Sequence, residues 1–259
     1  MMHPPPNKAL GQHYLHHPHY QQKITQACLT GLDPLPPVLE IGPGPGALTQ
    51  NLLAAGCHVT AIEKDERFLE PLQALSANYD NRLHVVHGDA LALDITDLVP
   101  AGAVLAGNLP YNVGTEIVVR AVRYQRRHFR RMVFMLQKEV VQRICAQPNT
   151  TDWGRLAVWC HLYMQRYALF DVPAGAFQPP PKVTSAVVEL TARPEPLVDI
   201  NPARLEMCLN LLFTQRRKML RRILKNRIDD TAFNTLNFPS TARPGELTTE
   251  QICALAECM

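Results

Sequence analysis

Long apolar runs are missing from this 259-residue chain. No stretch of about 18 uncharged apolar residues occurs, so no membrane-spanning helix is expected. The opening MMHPPPNKAL has no apolar core of the kind a secretory leader carries, which leaves a cytoplasmic location as the expectation. Charge is also scarce, at 19% of residues, while 46% are hydrophobic, which excludes a mostly disordered chain and allows a sizeable core. The seven cysteines are odd in number and scattered, with no C-x-x-C, so neither a disulfide framework nor a zinc site is expected. His13, His16, His17 and His19 cluster near the start, but no acid or cysteine completes a ligand set, and no metal is expected. A net charge of +3 says little; its distribution says more. Six arginines lie between Arg120 and Arg131, and seven Lys and Arg between Arg216 and Arg227, half of the 26 basic residues. Such clustering points to a polyanionic partner.

Residues 1–9 read as a flexible, proline-bearing tail and 18–31 as a helix. Strands and helices then alternate. Strands are expected at 38–41, 58–63, 83–89, 103–106 and 131–136, with helices at 47–55, 66–77 and 115–127 and another from Lys138. That alternation predicts an α/β fold with a mostly parallel sheet covered by helices on both faces. Two later runs, 162–172 and 183–191, read as strands with no clear helix between them and would add an antiparallel edge. From about residue 198 the pattern is helical. The expected division is a catalytic domain over 10–195 and a small all-helical domain over 198–259.

The first strand runs into Glu40-Ile-Gly42-Pro-Gly44-Pro-Gly46-Ala-Leu-Thr. Strand, glycine loop and helix make a nucleotide-cofactor site, where the backbone approaches the ligand beside a helix N-terminus. Glu63, 21 residues after Gly42, can accept both hydroxyls of a ribose. Alone, the loop is ambiguous, because Gly42-x-Gly44-x-x-Ala47 also satisfies the relaxed dinucleotide fingerprint. Two features favour S-adenosylmethionine. Glu40 precedes the first glycine, giving E-x-G-x-G-x-G, which resembles the class I methyltransferase motif; its carboxylate suits a cation and repels a pyrophosphate. Gly88-Asp89-Ala90 after the third strand suits an adenine amine accepted by Asp89.

Asn108-Leu109-Pro110-Tyr111 follows the fourth strand, where ligands of open α/β sheets bind. The N6 lone pair of adenine is delocalised into its ring, so the amine is a poor nucleophile. Acceptors at its two N–H groups, the Asn108 side-chain oxygen and the Leu109 or Pro110 carbonyl, pull it toward tetrahedral geometry and free the lone pair. Tyr111 offers a ring face for the base, and Pro110 holds the carbonyl direction. The remaining tasks are alignment and stabilisation of the developing ammonium charge.

With these motifs in order, the chain resembles the small-subunit (16S) rRNA adenine N6-dimethyltransferase family along nearly its whole length. The resemblance is carried by Lys8 to Leu15, Glu40 to Thr49, Asn108 to Asn112, Met135 to Val140, Phe177 to Val188 and Gln215-Arg-Arg-Lys218. It implies a class I methyltransferase fold. It also implies cofactor contacts at His13, Leu15, Gly42, Glu63, Asp89 and Asn108, with Gln12, Glu40, Gly44, Gly46, Lys64 and Ala90 in the same site. Asn108, Leu109, Pro110 and Tyr111 become the catalytic set, with Phe177 stacking on the flipped base opposite Tyr111. The implied substrate is a pair of adjacent adenines in a hairpin near the 3′ end of 16S rRNA, dimethylated by a monomer during small-subunit biogenesis. One departure stands out: Gly-Gln-Asn-Phe-Leu is common in the family where this chain has Gly11-Gln12-His13-Tyr14-Leu15. A cofactor contact through the backbone of residue 13 survives that change; one through a side-chain amide does not.

On a helical wheel over 216–227, Arg217, Lys218, Arg221, Arg222 and Lys225 share one face, and Met219, Leu220, Ile223 and Leu224 the other. With Arg216 they are expected to track RNA phosphates, while the Asn108 pocket selects the base. RNA loops supply the splayed adenine such an enzyme requires. Rival readings are a large-subunit rRNA adenine methylase, an NAD-dependent oxidoreductase and a non-catalytic assembly factor on the same fold. The triple proline before Lys182 and the Gln215-Arg-Arg-Lys run favour the small-subunit family over the first. The intact Asn108-Leu-Pro-Tyr argues against the last.

Overall fold

The structure, a computed structural model, describes residues 4–7, 11–225, 227, 228, 233, 236, 239 and 241–259. Parts of the expected tail (1–3 and 8–9), Lys8-Ala-Leu of the N-terminal motif and residue 226 of the expected basic helix lie outside the described residues. The chain divides into two compact units, Met1–Val141 with Arg166–Ala192 and Gln142–Gln165 with Arg193–Met259.

The first unit is built on strands β2 (Val38–Ile41), β3 (Val59–Glu63), β4 (Leu83–His87), β5 (Ala103–Asn108), β6 (Phe129–Gln137), β7 (Met164–Val172) and β9 (Ser185–Ala192). Among the described residues these form one sheet in the order β4-β3-β2-β5-β6-β9-β7. The run β4 to β6 is parallel, and β9 pairs antiparallel with β6. β2 is buried at every position, as a parallel strand covered on both faces requires. Helices α1 (Pro18–Leu29), α2 (Ala47–Ala54), α3 (Leu69–Ala77) and α4 (Gly114–Arg120) supply the covering, with Leu48, Leu52, Leu53, Phe68 and Leu72 packed in the core. The chain order reverses between β2 and β5, which sets a crevice beyond their carboxyl ends. A second, two-stranded sheet pairs β1 (Tyr14–Leu15) antiparallel with β8 (Phe177–Gln178).

Several expected arginines act on the fold. The Arg131 guanidinium donates to the carbonyls of Ala27, Cys28 and Thr30, satisfying the end of α1 where cations are favoured, and pairs with Glu189. Arg120 donates to the Leu91 and Leu93 carbonyls. The helix expected over 115–127 is α-helical only to Arg120 and continues as a π-turn over Ala121–Gln125.

In the second unit, helix α5 (Lys138–Cys145) enters from the first, and α6 (Arg155–Tyr163) packs with α7 (Pro202–Thr214) and α9 (Thr249–Glu257). The expected division at 195–198 leaves Gln142–Gln165 with the catalytic domain; in the structure that segment belongs with the C-terminal helices instead. The buried Trp153 indole donates to the Leu247 carbonyl at 3.0 Å, and the Arg193 and Leu197 amides donate to the carbonyls of Tyr163 and Leu162. The strand expected from 162 therefore starts only at Met164, because 155–163 is helix. Nor do 216–227 form one helix. α7 ends at Thr214, the chain turns through 215–219, and only α8 (Leu220–Ile223) is helical. The two faces survive: Leu220, Ile223 and Leu224 are buried while Arg217, Lys218, Arg221, Arg222 and Lys225 are exposed. No disulfide forms among the described residues, and no described helix is long and apolar enough to cross a membrane.

Candidate active site

A cavity opens at the carboxyl ends of β2, β3, β4 and β5, wholly within the first unit. Of the expected cofactor residues, Gln12, His13, Leu15, Glu40, Gly42, Gly44, Glu63, Lys64, Asp89, Ala90 and Asn108 line it. Leu109, Pro110 and Tyr111 line it too, so the glycine turn and the Asn108 tetrapeptide share one space. Gly46 does not. It stands before α2 at φ +81°, with Leu72 and Leu75 close to where a Cβ would lie, and serves the turn rather than the ligand. Phe177 is also elsewhere. Its side chain is 2% exposed in the core, and its backbone pairs with Leu15 across the small sheet. The expected stacking role for Phe177 is therefore not what this arrangement offers, since a ring already packed on all sides has no free face.

Two carboxylates flank the glycine turn. Glu40, 2% exposed, accepts from Thr49 Oγ1 at 2.6 Å. Burial pushes its carboxyl up to about 7; the Thr49 bond opposes that shift and the Glu63 charge adds to it. Glu63 accepts from the Gly44 amide at 2.9 Å and the Asp65 amide at 2.8 Å. Burial raises it also, against those backbone bonds. Asp89 Oδ2 takes Lys64 Nζ at 2.7 Å and Oδ1 takes the Leu91 amide, and chiefly the Lys64 bond holds this carboxyl below its usual range.

That donor set discriminates between cofactors. Near the turn, the Gly44 amide that a pyrophosphate would call on is engaged by Glu63, and Lys64 is engaged by Asp89. Glu40 and Glu63 thus line the cavity beside a third acid, Asp89, which already takes the nearby Lys64. A dianionic pyrophosphate is repelled there, whereas a sulfonium- and ammonium-bearing nucleoside is compensated. The residues fit S-adenosylmethionine, with Glu63 free to accept further hydroxyls on its remaining lone pairs.

Asn108 ends β5 and donates its Nδ2 to the His13 carbonyl at 2.9 Å. That bond fixes the amide orientation and leaves Oδ1 as the acceptor for a ligand. The contact uses the backbone of His13, so it does not depend on which side chain stands at residue 13. Tyr111 is braced by its hydroxyl, 2.5 Å from Ser185 Oγ. The N-terminal segment is latched beside the cavity: Gln12 Nε2 donates to Asp65 Oδ2 at 2.9 Å, and Tyr14 OH donates to Gln12 Oε1 at 2.6 Å. Asp65 is held at about 2, foremost by its hydrogen bond from Arg67.

Sequence reasoning missed several participants. Asn112 and Ile24 line the cavity, and Ser185 and Asp65 hold residues that do. Asn112 was signalled by its place beside Tyr111; Ser185, 74 positions from its partner, carried no local signal. Gly107 also escaped notice. A Cβ there would stand 2.7 Å from the Ile41 carbonyl oxygen, so β5 approaches β2 closely enough to set Asn108 beside the glycine turn only because residue 107 has no side chain.

Comparison with known proteins agrees with this geometry. The chain matches the family described as "Ribosomal RNA adenine dimethylase" over residues 5–259. It is 43% identical to "Ribosomal RNA small subunit methyltransferase A" of Ruegeria sp. (strain TM1040), covering 97% of this chain and 91% of the relative. It is 44% identical to the protein of that name from Paracoccus denitrificans (strain Pd 1222), covering 96% and 89%. Among solved structures, it is similar to a dimethyladenosine transferase from Plasmodium falciparum, with TM-score 0.78 and 26% identity over 94% of this chain and 96% of the other. It is also similar to the 23S rRNA methyltransferase ErmE, with TM-score 0.71 and 26% identity over 95% and 98%.

Proposed function

Because the chain belongs to the ribosomal RNA adenine dimethylase family, we propose that it dimethylates the N6 amines of two adjacent adenines in a hairpin near the 3′ end of 16S rRNA. On this reading it acts in the cytoplasm, as a monomer, on the small ribosomal subunit or its precursor. S-adenosylmethionine, when bound, supplies a sulfonium methyl group, already a good electrophile. The observation that carries the reading is the single cavity in which the Gly42–Gly44 turn and Asn108 stand together, with Asn108 Oδ1 left as an acceptor.

The residues then divide the work. Glu63 and Asp89 hold the hydroxyl- and amine-bearing parts of the donor, and Glu40 offsets its positive charge. Asn108 Oδ1 and the Leu109 or Pro110 carbonyl accept the two N6 protons of the target adenine and turn its lone pair outward. Tyr111 stacks on the base. No strong general base is required, because the amine becomes acidic once alkylated and loses its proton to water. The walls of the cavity hold the reacting atoms in line, which is the larger part of the acceleration. Arg216, Arg217, Lys218, Arg221, Arg222 and Lys225 are assigned to RNA phosphates, with no role in choosing the base.

The test is incubation with labelled methyl donor and, in parallel, unmethylated small subunits and unmethylated large subunits, followed by nucleoside analysis of each RNA. N6-dimethyladenosine in the small-subunit RNA is expected. Label confined to large-subunit RNA, the substrate named for ErmE, would overturn the assignment. Asn108→Ala is expected to lower kcat by about a hundredfold or more while leaving donor affinity within a few-fold; undiminished transfer would remove Asn108 from the catalytic role.

A further inference from the structure

The imidazole of His13 has no part in the mechanism above, yet it lies against the residue that receives the base. Its ring stacks on Tyr111 with centroids 5.4 Å apart and planes inclined by 29°. Its Nδ1 stands 2.9 Å from the Pro179 carbonyl oxygen. A carbonyl only accepts, so Nδ1 carries the proton and the orientation of the imidazole is set. The same residue's backbone carbonyl receives Asn108 Nδ2 at 2.9 Å. His13 therefore touches both ends of the Asn108–Tyr111 tetrapeptide, by its backbone at one end and its ring at the other.

We propose that the His13 side chain is a positioning residue for the acceptor adenine, holding the Tyr111 ring in the plane on which the base stacks. The proposal rests on the reading of this cavity as an adenine methylation site. Tyr111 has two torsions to fix. Its hydroxyl is fixed by Ser185, 2.5 Å away, which leaves rotation of the ring about the axis through that hydroxyl. A stacked neighbour on one face opposes that rotation. His13 is itself held by Pro179, so the support is tied to the chain segment that follows β8. An asparagine at this position would keep the backbone contact to Asn108 but would have no ring to stack. The device thus belongs to the side chain and is separable from the backbone contact.

The test uses the full-length chain with His13→Ala and His13→Phe. Methyl transfer to unmethylated small subunits gives kcat and KM, and calorimetry gives the Kd for S-adenosylmethionine. An aromatic pair of this kind corresponds to roughly a three- to tenfold effect. His13→Ala is expected to lower kcat by about that factor with donor Kd within twofold of wild type, and His13→Phe to recover most of the loss, since it restores a ring. Equal losses in both variants, no loss in His13→Ala, or a loss confined to donor Kd would each overturn the proposal. A wild-type protein that methylates no small-subunit adenine counts against the functional reading instead. The ring contact is then read separately, from the His13 C–H proton resonances. A shift on Tyr111→Leu is expected; resonances unmoved by that change refute the contact whatever the activity.

Discussion

At the scale of single residues, the site is governed by acids taken out of water. Glu40 is held near 7 by burial, above the usual 4.5 for its type. A carboxyl whose folded value is raised binds more protons folded than unfolded between those two values. Its burial therefore costs nothing below about 4.5, and the cost grows as pH rises toward about 7 and is complete above it. Glu40→Gln keeps an acceptor for Thr49 and removes the charge. The ligand-free variant is expected to melt above wild type at pH 8, by a margin on the order of 1–3 kcal/mol, and to match it near pH 4.5. Thermal melts across pH check the sign. Affinity for the positively charged donor is expected to fall in the same variant, most at pH 8. A Glu40→Gln protein no more stable than wild type at pH 8 would show that Glu40 is already compensated without ligand.

Whole elements place these residues. The reversal between β2 and β5 forms the crevice, and the close approach of the two strands sets its width. Gly107→Ala brings a Cβ to 2.7 Å from the Ile41 carbonyl and 2.9 Å from the Leu109 side chain, and neither the strand backbone nor a buried leucine yields easily. The variant is expected to lose about 1–3 kcal/mol of stability, as overpacking does. It is also expected to lose methyl transfer out of proportion to donor binding, because the displaced strand ends in Asn108. Denaturant unfolding and calorimetry with S-adenosylmethionine separate the two effects. A variant with normal kcat would show that β5 can shift without moving Asn108 from register.

At the scale of the whole molecule, one unit holds an acid-lined pocket and the other an exposed basic segment. Net charge is only +3, so steering depends on where the charge sits. In the second unit the exposed Arg217, Lys218, Arg221, Arg222 and Lys225 project from a turn and one short helix rather than from one long helix. The double variant Arg221→Gln, Arg222→Gln is expected to reduce the slope of log affinity against log salt by about 1–2 for a hairpin RNA, since each phosphate contact contributes roughly 0.7–0.9. Donor affinity stays unchanged, because the cavity lies in the other unit. An unchanged salt slope would assign RNA binding elsewhere.

Local patterns were enough to specify much of this protein. Buried parallel strands read as apolar runs, and the glycine turn, Glu63, Asp89 and the Asn108 tetrapeptide, picked out by residue type and spacing, line one cavity, because each is a contiguous segment whose conformation is set by near neighbours. Contacts between distant segments could not be read that way. The break after Thr214 and the helix at 155–163 are tertiary outcomes. So are the transfer of Gln142–Gln165 to the C-terminal unit, the burial of Phe177, and the reach of His13 to Asn108, Tyr111 and Pro179. Each depends on which surfaces meet once the chain has closed on itself, and packing between remote residues leaves no periodic trace in the order of amino acids.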